Sequence, residues 1–334
     1  MRVLVTGGAG FIGSHLCERL LSLGHKVVVI DDLSTGSIEN IVGCRDSRDF
    51  LFHHDSIFND ARMTDLIRGC DVIFHLAAAV GVKKIVDFPV STIETNVAGT
   101  EVVLRIAAAH GRRVILASTS EVYGKSTKFP FSESDDIVLG PTTNTRWGYA
   151  CSKAIDEFLA LAYAFEKQLP VTVVRLFNTV GPRQTGLYGM VVPSLVKQAL
   201  SGGPVTVYGT GEQSRCFGHV FDIVDGFVSI LNNPAIDGEI FNLGNTQEVT
   251  INELAAHIVD STGSDSKIVH VPYSQAYGPG FEDMQRRVPD ITKAREWLGF
   301  SPKRTLDDII ADVVSHLRPQ LAGVAVDGTY ERVL

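Results

Sequence analysis

The sequence is poor in the residues that mark disulfide-bonded or metal-dependent proteins. Five cysteines occur in 334 residues, at positions 17, 44, 70, 151 and 216. They are odd in number and scattered, and none forms a Cys-x-x-Cys pair. We therefore expect free thiols in a reducing compartment, and neither a disulfide framework nor a metal site.

Long apolar runs and an excess of positive charge are also absent. No stretch reaches the roughly 18 apolar residues that a membrane helix needs, and the chain begins with a strand pattern instead of a secretory signal. Lys and Arg number 30 against 38 Asp and Glu, which gives a net charge of -8. No basic stripe favours nucleic acid. We expect a cytoplasmic protein without membrane or nucleic-acid partners.

The first half of the chain alternates between apolar strand patterns and helical patterns. This regular alternation predicts a parallel sheet covered on both faces, that is, a doubly wound α/β Rossmann fold. The expected strands are Val3–Thr6, Lys26–Ile30, Asp71–Leu76, Arg113–Ala117 and Val171–Arg175. The expected helices cover 12–23, 60–69, 93–110 and 149–168.

The alternation breaks after residue 178, where Gly, Pro and Arg become frequent. Helices are expected near 222–232, 251–262 and 305–317, and a strand at 240–243. We interpret 1–179 with 219–245 as a Rossmann domain, and 180–218 with 246–334 as a second, smaller α/β substrate lobe. The tail after Pro319 is expected to pack poorly.

A glycine motif lies between the first strand and the first helix and predicts a dinucleotide site. Gly7 permits a tight turn, Gly10 a close approach to a pyrophosphate, and Gly13 close helix–strand packing. Asp31 ends the second strand, where an acid accepts hydrogen bonds from a ribose, and no basic residue directly follows it, which favours NAD over NADP. Asp55 could contact the adenine or cap a loop. The predicted NAD-binding residues are Gly7, Gly10, Phe11, Ile12, Gly13, Asp31, Asp55, Leu76, Ala77, Asn96, Tyr149 and Lys153.

Two polar groups suggest chemistry on an alcohol. Tyr149 and Lys153 are four residues apart in a helical stretch and share a face. An ammonium group beside a phenol lowers its pKa, and a phenolate can take a proton from a sugar hydroxyl. If the strand before Thr119 continues, Thr119 and Glu121 face the same way. Thr119 would then bind the sugar oxygen or cap the strand, and Glu121 would lie beside the reacting carbons or form a structural ion pair.

At this point the chain resembles a known family, the extended short-chain dehydrogenases/reductases that modify nucleotide sugars. The resemblance covers about 1–315 and rests on Thr-Gly-Gly-Ala-Gly-Phe-Ile-Gly, Ser-Thr-Ser-Glu-Val-Tyr-Gly, Tyr-x-x-x-Lys and Phe-Asn at 177–178. It implies that Thr119, Tyr149 and Lys153 act with bound NAD. It also implies that Asn178, Tyr208 and Arg215 hold the nucleotide and diphosphate of a UDP-sugar.

Within that family, Ser120 and Glu121 resemble UDP-glucuronic acid decarboxylases, because 4,6-dehydratases carry an Asp-Glu pair there. The stretches 146–153 and 277–283 resemble the same branch, as does Arg287, which the resemblance places at the carboxylate end of the sugar. Arg287 could instead contact the diphosphate or lie on the surface. The segment 78–89, with Ile85 where decarboxylases carry Tyr, is more similar to 4-epimerases.

These patterns favour an NAD-dependent UDP-glucuronic acid decarboxylase that oxidises C4 to a 4-keto intermediate. The predicted catalytic residues are Thr119, Ser120, Glu121, Tyr149, Lys153 and Arg287. A UDP-sugar 4-epimerase is the alternative, a 4,6-dehydratase is less favoured, and a non-catalytic NAD-binding scaffold is a remote one. The apolar faces of helices 93–110 and 149–166 predict a symmetric homodimer, unless both faces are buried within one chain.

Overall fold

The computed structural model describes residues 1–186, 189–276 and 282–324. These residues form thirteen strands. The strands are β1 (Arg2–Thr6), β2 (Lys26–Asp31), β3 (Phe50–His54), β4 (Val72–His75), β5 (Arg113–Thr119), β6 (Val171–Leu176), β7 (Thr179–Val180), β8 (Val205–Tyr208), β9 (Ser214–Cys216), β10 (Gly218–His219), β11 (Ile240–Leu243), β12 (Glu248–Thr250) and β13 (Ile268–Val271).

Twelve α-helices lie in the same described ranges. They are α1 (Phe11–Ser22), α2 (Val42–Arg45), α3 (Asp60–Arg68), α4 (Val82–Asp87), α5 (Pro89–His110), α6 (Arg146–Lys167), α7 (Val191–Leu200), α8 (Val220–Leu231), α9 (Ile251–Thr262), α10 (Tyr273–Ala276), α11 (Thr292–Leu298) and α12 (Leu306–Val324). Short 3₁₀ helices occupy Ile38–Ile41, Ser120–Tyr123 and Pro234–Ile236. None of the helices described here is long and apolar enough to span a lipid bilayer.

Seven strands form one central sheet in the order β11-β6-β5-β4-β1-β2-β3. Every neighbouring pair in it is parallel. This confirms the predicted doubly wound α/β fold. The strand order reverses between β1 and β4, and in such sheets ligands bind in the crevice outside the carboxyl ends at that point.

Both faces of the sheet are buried, which explains why its strands are apolar throughout. Val3 and Val5 point to one face, where they join a cluster with α1 and α8. Leu4 points to the other face and joins a cluster with α3, α5 and α6. All three side chains are 0% exposed, and burying each stabilises the fold by roughly 1.5–3 kcal/mol.

A third apolar cluster lies outside the central sheet. It is formed by residues of α7, α9 and α12 with β8, including Val196, Leu254 and Ile310. Three two-stranded sheets, β7 with β10, β8 with β13 and β9 with β12, lie in this part of the chain. The division into two lobes remains a prediction. Ala294 and Phe300, assigned above to the second lobe, pack in the first cluster of the central sheet.

Two helix boundaries differ by more than three residues from the sequence analysis. The helix expected from residue 93 begins at Pro89, because proline suits the first helical position, where no N–H partner is needed. The helix expected to end at 317 continues through Pro319 to Val324. The tail was expected to pack poorly after Pro319, but its first residues are helical, and 325–334 lie outside the described residues.

Candidate active site

A cavity of about 950 Å³ opens at the carboxyl ends of β1, β2, β4, β5 and β6. The structure brings to its wall every site residue that the sequence analysis named except Asn96. It also adds residues that were not assigned a role, among them Arg146, Tyr273 and Asp283. The cavity therefore contains both the expected dinucleotide motif and the expected catalytic groups.

The glycine motif forms a tight turn at the mouth of the cavity. Gly7 has φ 72°, and a Cβ there would lie 2.8 Å from the backbone nitrogen of Ala77. The carbonyl of Gly7 accepts a hydrogen bond from the N–H of Gly10, at 3.1 Å. A Cβ on Gly13 would overlap that same carbonyl oxygen. The turn thus leaves the N-terminus of α1 open to a pyrophosphate, and these residues fit NAD.

Asp31 joins the glycine turn to the end of β2. One carboxylate oxygen accepts the N–H of Ala9 at 2.9 Å, and the other accepts the N–H of Leu33 at 2.8 Å. Burial raises the pKa of Asp31 above its ordinary value, although these two backbone bonds act in the opposite direction. Each oxygen keeps a free lone pair. Asp31 can therefore also accept hydroxyl groups of a ribose.

Asp55 and Asn96 have structural roles. Asp55 accepts the N–H of Ser56 at 2.8 Å and the amide of Asn59 at 2.9 Å, so the loop-cap alternative is observed, while contact with adenine remains a prediction. Asn96 is 1% exposed and lies behind the cavity wall. Its side chain accepts the N–H of Ala79 and donates to the hydroxyl of Ser152. Asn96 therefore braces the loop after β4 against α6 instead of facing the cavity.

We expect the purified protein to release NAD and not NADP when it is denatured. Asp31→Ala should reduce the amount of NAD retained, because it removes the ribose acceptor and loosens the glycine turn. Chromatography of the released nucleotide measures both. Asp32→Asn is the control, because the carboxylate of Asp32 is next to Asp31 in the chain but accepts the N–H of Ser34. NADP as the main species would contradict the assignment.

The backbone turns immediately after Thr119, so the extended continuation considered above is wrong. Ser120–Tyr123 is a 3₁₀ helix, and the Thr119 hydroxyl caps it by accepting the N–H of Glu121 at 3.2 Å. A threonine hydroxyl can stabilise such a turn because it offers the backbone N–H an alternative to the sheet hydrogen bonds. The same hydroxyl is hydrogen bonded to the phenol of Tyr149. The cap considered for Thr119 is therefore observed, and its bond to Tyr149 places it beside the predicted base, while contact with the sugar oxygen remains a prediction.

Lys153 lies on the same helix as Tyr149, whose pKa is nevertheless not lowered in this structure. Its ammonium group donates to Asp156 at 2.7 Å, and both side chains are buried. Burial and the nearby carboxylates of Glu121 and Asp156 raise the pKa of Tyr149 well above its ordinary value, while the hydrogen bond with Thr119 opposes them. The expected lowering is therefore wrong, because burial of the phenol, more than any other cause, raises its pKa.

Glu121 is held in a buried ion pair. Both terminal nitrogens of Arg146 donate to its carboxylate, and a nitrogen of Arg287 lies 3.2 Å from it. Burial alone would raise the pKa of Glu121, but Arg146 and Arg287 outweigh burial and lower it to about 2. The structural ion pair considered above is therefore observed. Glu121 stays ionised near neutral pH and cannot donate a proton there.

Ser120 offers a different polar group on the same turn. Its hydroxyl is 0% exposed and belongs to the cavity wall. Across the residues that the structure describes, this oxygen has no hydrogen-bond partner. A buried unpaired hydroxyl costs free energy, so it is expected to bind a ligand.

A second carboxylate, Asp283, connects the arginines. It pairs with Arg215 at 2.8 Å and lies 3.5 Å from Arg146 and 3.9 Å from Arg287. We name Arg146, Arg215, Arg287, Glu121 and Asp283 the arginine cluster. Three positive and two negative side chains give it a formal charge of +1, which favours an anionic ligand.

Two members of this cluster, Arg146 and Asp283, were not assigned by the sequence analysis. A signal for Arg146 was available, because it precedes Tyr149 by three residues and shares its helix face. Asp283 follows the stretch 277–281, which lies outside the described residues. No local pattern indicated its contacts with arginines that are distant in sequence.

The remaining expected substrate contacts line the same cavity. Asn178 accepts from Arg287 at 3.1 Å, and its amide nitrogen is buried without a partner among the described residues. Tyr208 is 39% exposed. Ile85, from the segment that resembles 4-epimerases, is 2% exposed and also belongs to the wall. The structure thus brings together residues typical of both branches.

Comparison with known proteins agrees with this geometry. The chain is 42% identical to a UDP-N-acetyl-alpha-D-glucosaminuronate decarboxylase of Bacillus cytotoxicus, covering 95% of this chain and 98% of the relative. It is 37% identical to UDP-glucuronic acid decarboxylase 1 of Xenopus tropicalis, covering 96% and 73%. A crystal structure of UDP-glucuronic acid 4-epimerase from Bacillus cereus with UDP-glucuronic acid and NAD aligns with TM-score 0.87 and 28% identity, covering 96% of this chain and 100% of that one.

A family model described as GDP-mannose 4,6 dehydratase matches residues 4–313, which is most of the chain. That span includes the glycine turn, the residues Thr119, Tyr149 and Lys153, and all members of the arginine cluster. The chain therefore belongs to the NAD-dependent epimerase/dehydratase family, as the motifs indicated.

Proposed function

We propose that this protein is an NAD-dependent decarboxylase of a UDP-sugar that carries a carboxylate at C6. The substrate class comprises UDP-glucuronate and its 2-acetamido derivative, since relatives of this chain bear both names. The observation that carries the proposal is the positively charged arginine cluster beside Tyr149. A neutral sugar would leave the buried Arg146 and Arg287 without an anionic group of the sugar to bind.

The reaction begins at the C4 hydroxyl. Tyr149 in its phenolate form takes the proton of this hydroxyl and becomes a phenol, and Thr119 holds the oxygen. NAD, when bound at the glycine turn, supplies the acceptor for the C4 hydride and a positive charge that offsets the carboxylates near Tyr149. The resulting C4 ketone is β to the C6 carboxylate, so the electrons of the C5–C6 bond can move into the ketone as CO₂ leaves. Hydrogen bonds from Thr119 and Tyr149 stabilise the oxyanion that forms.

Within the arginine cluster, Arg146 and Arg287 bind and orient the carboxylate end of the sugar, while Arg215 is left for the diphosphate. Arg287 offers a planar fork suited to a carboxylate, and Glu121 fixes Arg146 and Arg287 in place. After CO₂ leaves, C5 requires a proton. The buried hydroxyl of Ser120 is better suited to pass it than Glu121, whose pKa of about 2 keeps it ionised. The hydride taken from C4 would then return from the reduced cofactor to the ketone, giving a UDP-pentose, or the 4-keto sugar would leave before this return.

A 4-epimerase is the second candidate, and two observations favour it. The segment 78–89, part of which lines the cavity, resembles 4-epimerases. The aligned Bacillus cereus structure is an epimerase bound to UDP-glucuronic acid. Inversion at C4 would need only Thr119, Tyr149 and Lys153 together with bound NAD, which would take up the hydride and return it to the other face of C4. An epimerase that accepts a sugar acid would also have a use for the arginines, so product analysis must distinguish the two.

The test is incubation with UDP-glucuronate, UDP-N-acetylglucosaminuronate and UDP-glucose, followed by mass spectrometry and chromatography. Loss of CO₂ from either acid supports decarboxylation and identifies the C2 preference. A product of unchanged mass but different retention time indicates epimerisation. Retained NAD without turnover of any of the three would support the non-catalytic scaffold.

We also propose the homodimer. Large apolar side chains project from α5 and α6, including Val90 and Phe158, both 68% exposed, and Phe165, which is 82% exposed. Phe158→Glu should therefore convert a dimer into a monomer in light scattering at micromolar protein. Trp297→Glu, an exposed aromatic residue on α11, is the control and should remain dimeric. A wild-type protein with monomer mass would refute the dimer.

A further inference from the structure

Asp283 contacts all three arginines of the cavity. Its closest bond is to Arg215, at 2.8 Å. The other bonds of the Arg215 guanidinium go to backbone carbonyls, those of Ser214 at 2.7 Å and Gln285 at 3.4 Å. Within the described residues, Asp283 is therefore the acidic partner of Arg215.

The two carboxylates of the cluster differ in position. The side chain of Glu121 is 10% exposed and is enclosed by Arg146 and Arg287. The side chain of Asp283 is 21% exposed and lies on the cavity wall beside Arg215. An anionic ligand that enters the cavity can therefore reach the Asp283–Arg215 pair more easily than the Glu121 pair.

Arg215 can use the same N–H group for a carboxylate or for a phosphate oxygen, but not fully for both. Arginine binds either group through the same planar fork. A diphosphate near Arg215 would also be repelled by Asp283, because both are negative. Binding of a nucleotide diphosphate therefore has to displace or weaken the Asp283–Arg215 bond.

We propose that Asp283 is an internal competitor for the diphosphate of the substrate. It keeps Arg215 paired between turnovers, weakens nucleotide binding, and reclaims Arg215 as the product leaves. This inference rests on the proposed function, because it takes the ligand to be a UDP-sugar. It assigns to Asp283 a positioning role that sets affinity and release and takes no part in bond breaking.

The test compares binding of UDP and of inorganic pyrophosphate to the full-length wild type and Asp283→Asn, by calorimetry. The variant raises the charge of the cluster from +1 to +2 and frees Arg215. We expect it to bind UDP about tenfold more tightly and to release it correspondingly more slowly in stopped-flow measurements. KM for the sugar nucleotide should fall, while kcat should not rise.

Glu282→Gln is the matched control. It removes a neighbouring carboxylate that pairs with Lys125 at 3.1 Å instead of the cluster. Its UDP affinity should stay within about twofold of the wild type, since exposed pairs contribute little. Tighter binding in both variants would mean that general charge, and not displacement at Arg215, controls affinity, and would overturn the proposal.

Unchanged or weaker UDP binding in Asp283→Asn would also overturn it, because Asp283 would then only hold Arg215 in place. Asp283→Ala serves as a second neutral variant if the first does not fold, with the same expectation. Asp283→Glu keeps the charge and should bind no more tightly than the wild type. These binding results are independent of CO₂ release, so a failure of the decarboxylase proposal would be seen separately, in the product analysis.

Discussion

Replacing Tyr149 by phenylalanine is expected to lower turnover at least ~100-fold, the usual scale for a lost general base. The ring that packs at the cavity wall is kept, and only the phenol oxygen bonded to Thr119 is removed. Nucleotide-sugar binding should therefore change little. Steady-state kinetics together with calorimetric UDP binding measures both quantities.

A second buried tyrosine provides the control for this experiment. Tyr123 is 0% exposed, and its hydroxyl donates to Asn242 at 2.8 Å, outside the cavity wall. Tyr123→Phe should cost roughly 0.5–1.5 kcal/mol of stability through the lost hydrogen bond but leave turnover nearly intact. If Tyr149→Phe behaved like Tyr123→Phe, Tyr149 would not be the base.

The second large effect is expected at Glu121 and Arg287. Arg287→Lys keeps a positive charge but loses the planar fork, so it should reduce consumption of UDP-glucuronate far more than affinity for UDP. Glu121→Gln should sharply reduce CO₂ release, because Arg146 and Arg287 lose the carboxylate that positions them. If both variants convert substrate at wild-type rates, decarboxylation should be abandoned in favour of 4-epimerisation.

Glu121→Gln should also destabilise the fold, since removing one partner of a buried ion pair costs about 3–5 kcal/mol. The pH dependence of this loss has a definite sign. The pKa of Glu121 is lowered to about 2 in the folded protein, against about 4.3 in an unfolded chain. Its contribution is therefore complete above the unfolded value and is lost as pH falls toward 2. Urea unfolding at several pH values should show the gap between wild type and variant closing over that range.

Features that depend on local sequence could be predicted. The parallel sheet follows from apolar strands alternating with helices, and the turn at Gly7 from its place between a strand and a helix. The pairing of Tyr149 with Lys153 on one face follows from helical spacing. In each case the determining residues lie close together in the chain.

Features that depend on which distant groups meet could not be predicted. The pKa of Tyr149 was expected to fall because Lys153 is four residues away. It rises instead, because the phenol is buried and lies near the carboxylates of Glu121 and Asp156, and local spacing does not show burial. The role of Glu121 depends on Arg287, which is far away in the chain. At Thr119 the prediction failed locally, because a side-chain cap competed with the strand.

The position of β11 has a consequence for how the protein folds during synthesis. The edge strand β11 pairs with β6 in the sheet. In the chain, however, β11 is separated from β6 by the segment that forms β7 to β10 and α8. Arg113 of β5 depends on the same late region, pairing with Asp237 at 2.7 Å and donating to the carbonyl of Leu231. A nascent chain that ends near residue 180 therefore exposes an unpaired edge and an unpaired arginine. At roughly 5–20 residues per second, this interval lasts several seconds on the ribosome. For the same structural reason, a chain cut after β7 would lack the partners of β6 and of Arg113, so we expect it not to fold as a stable nucleotide-binding unit.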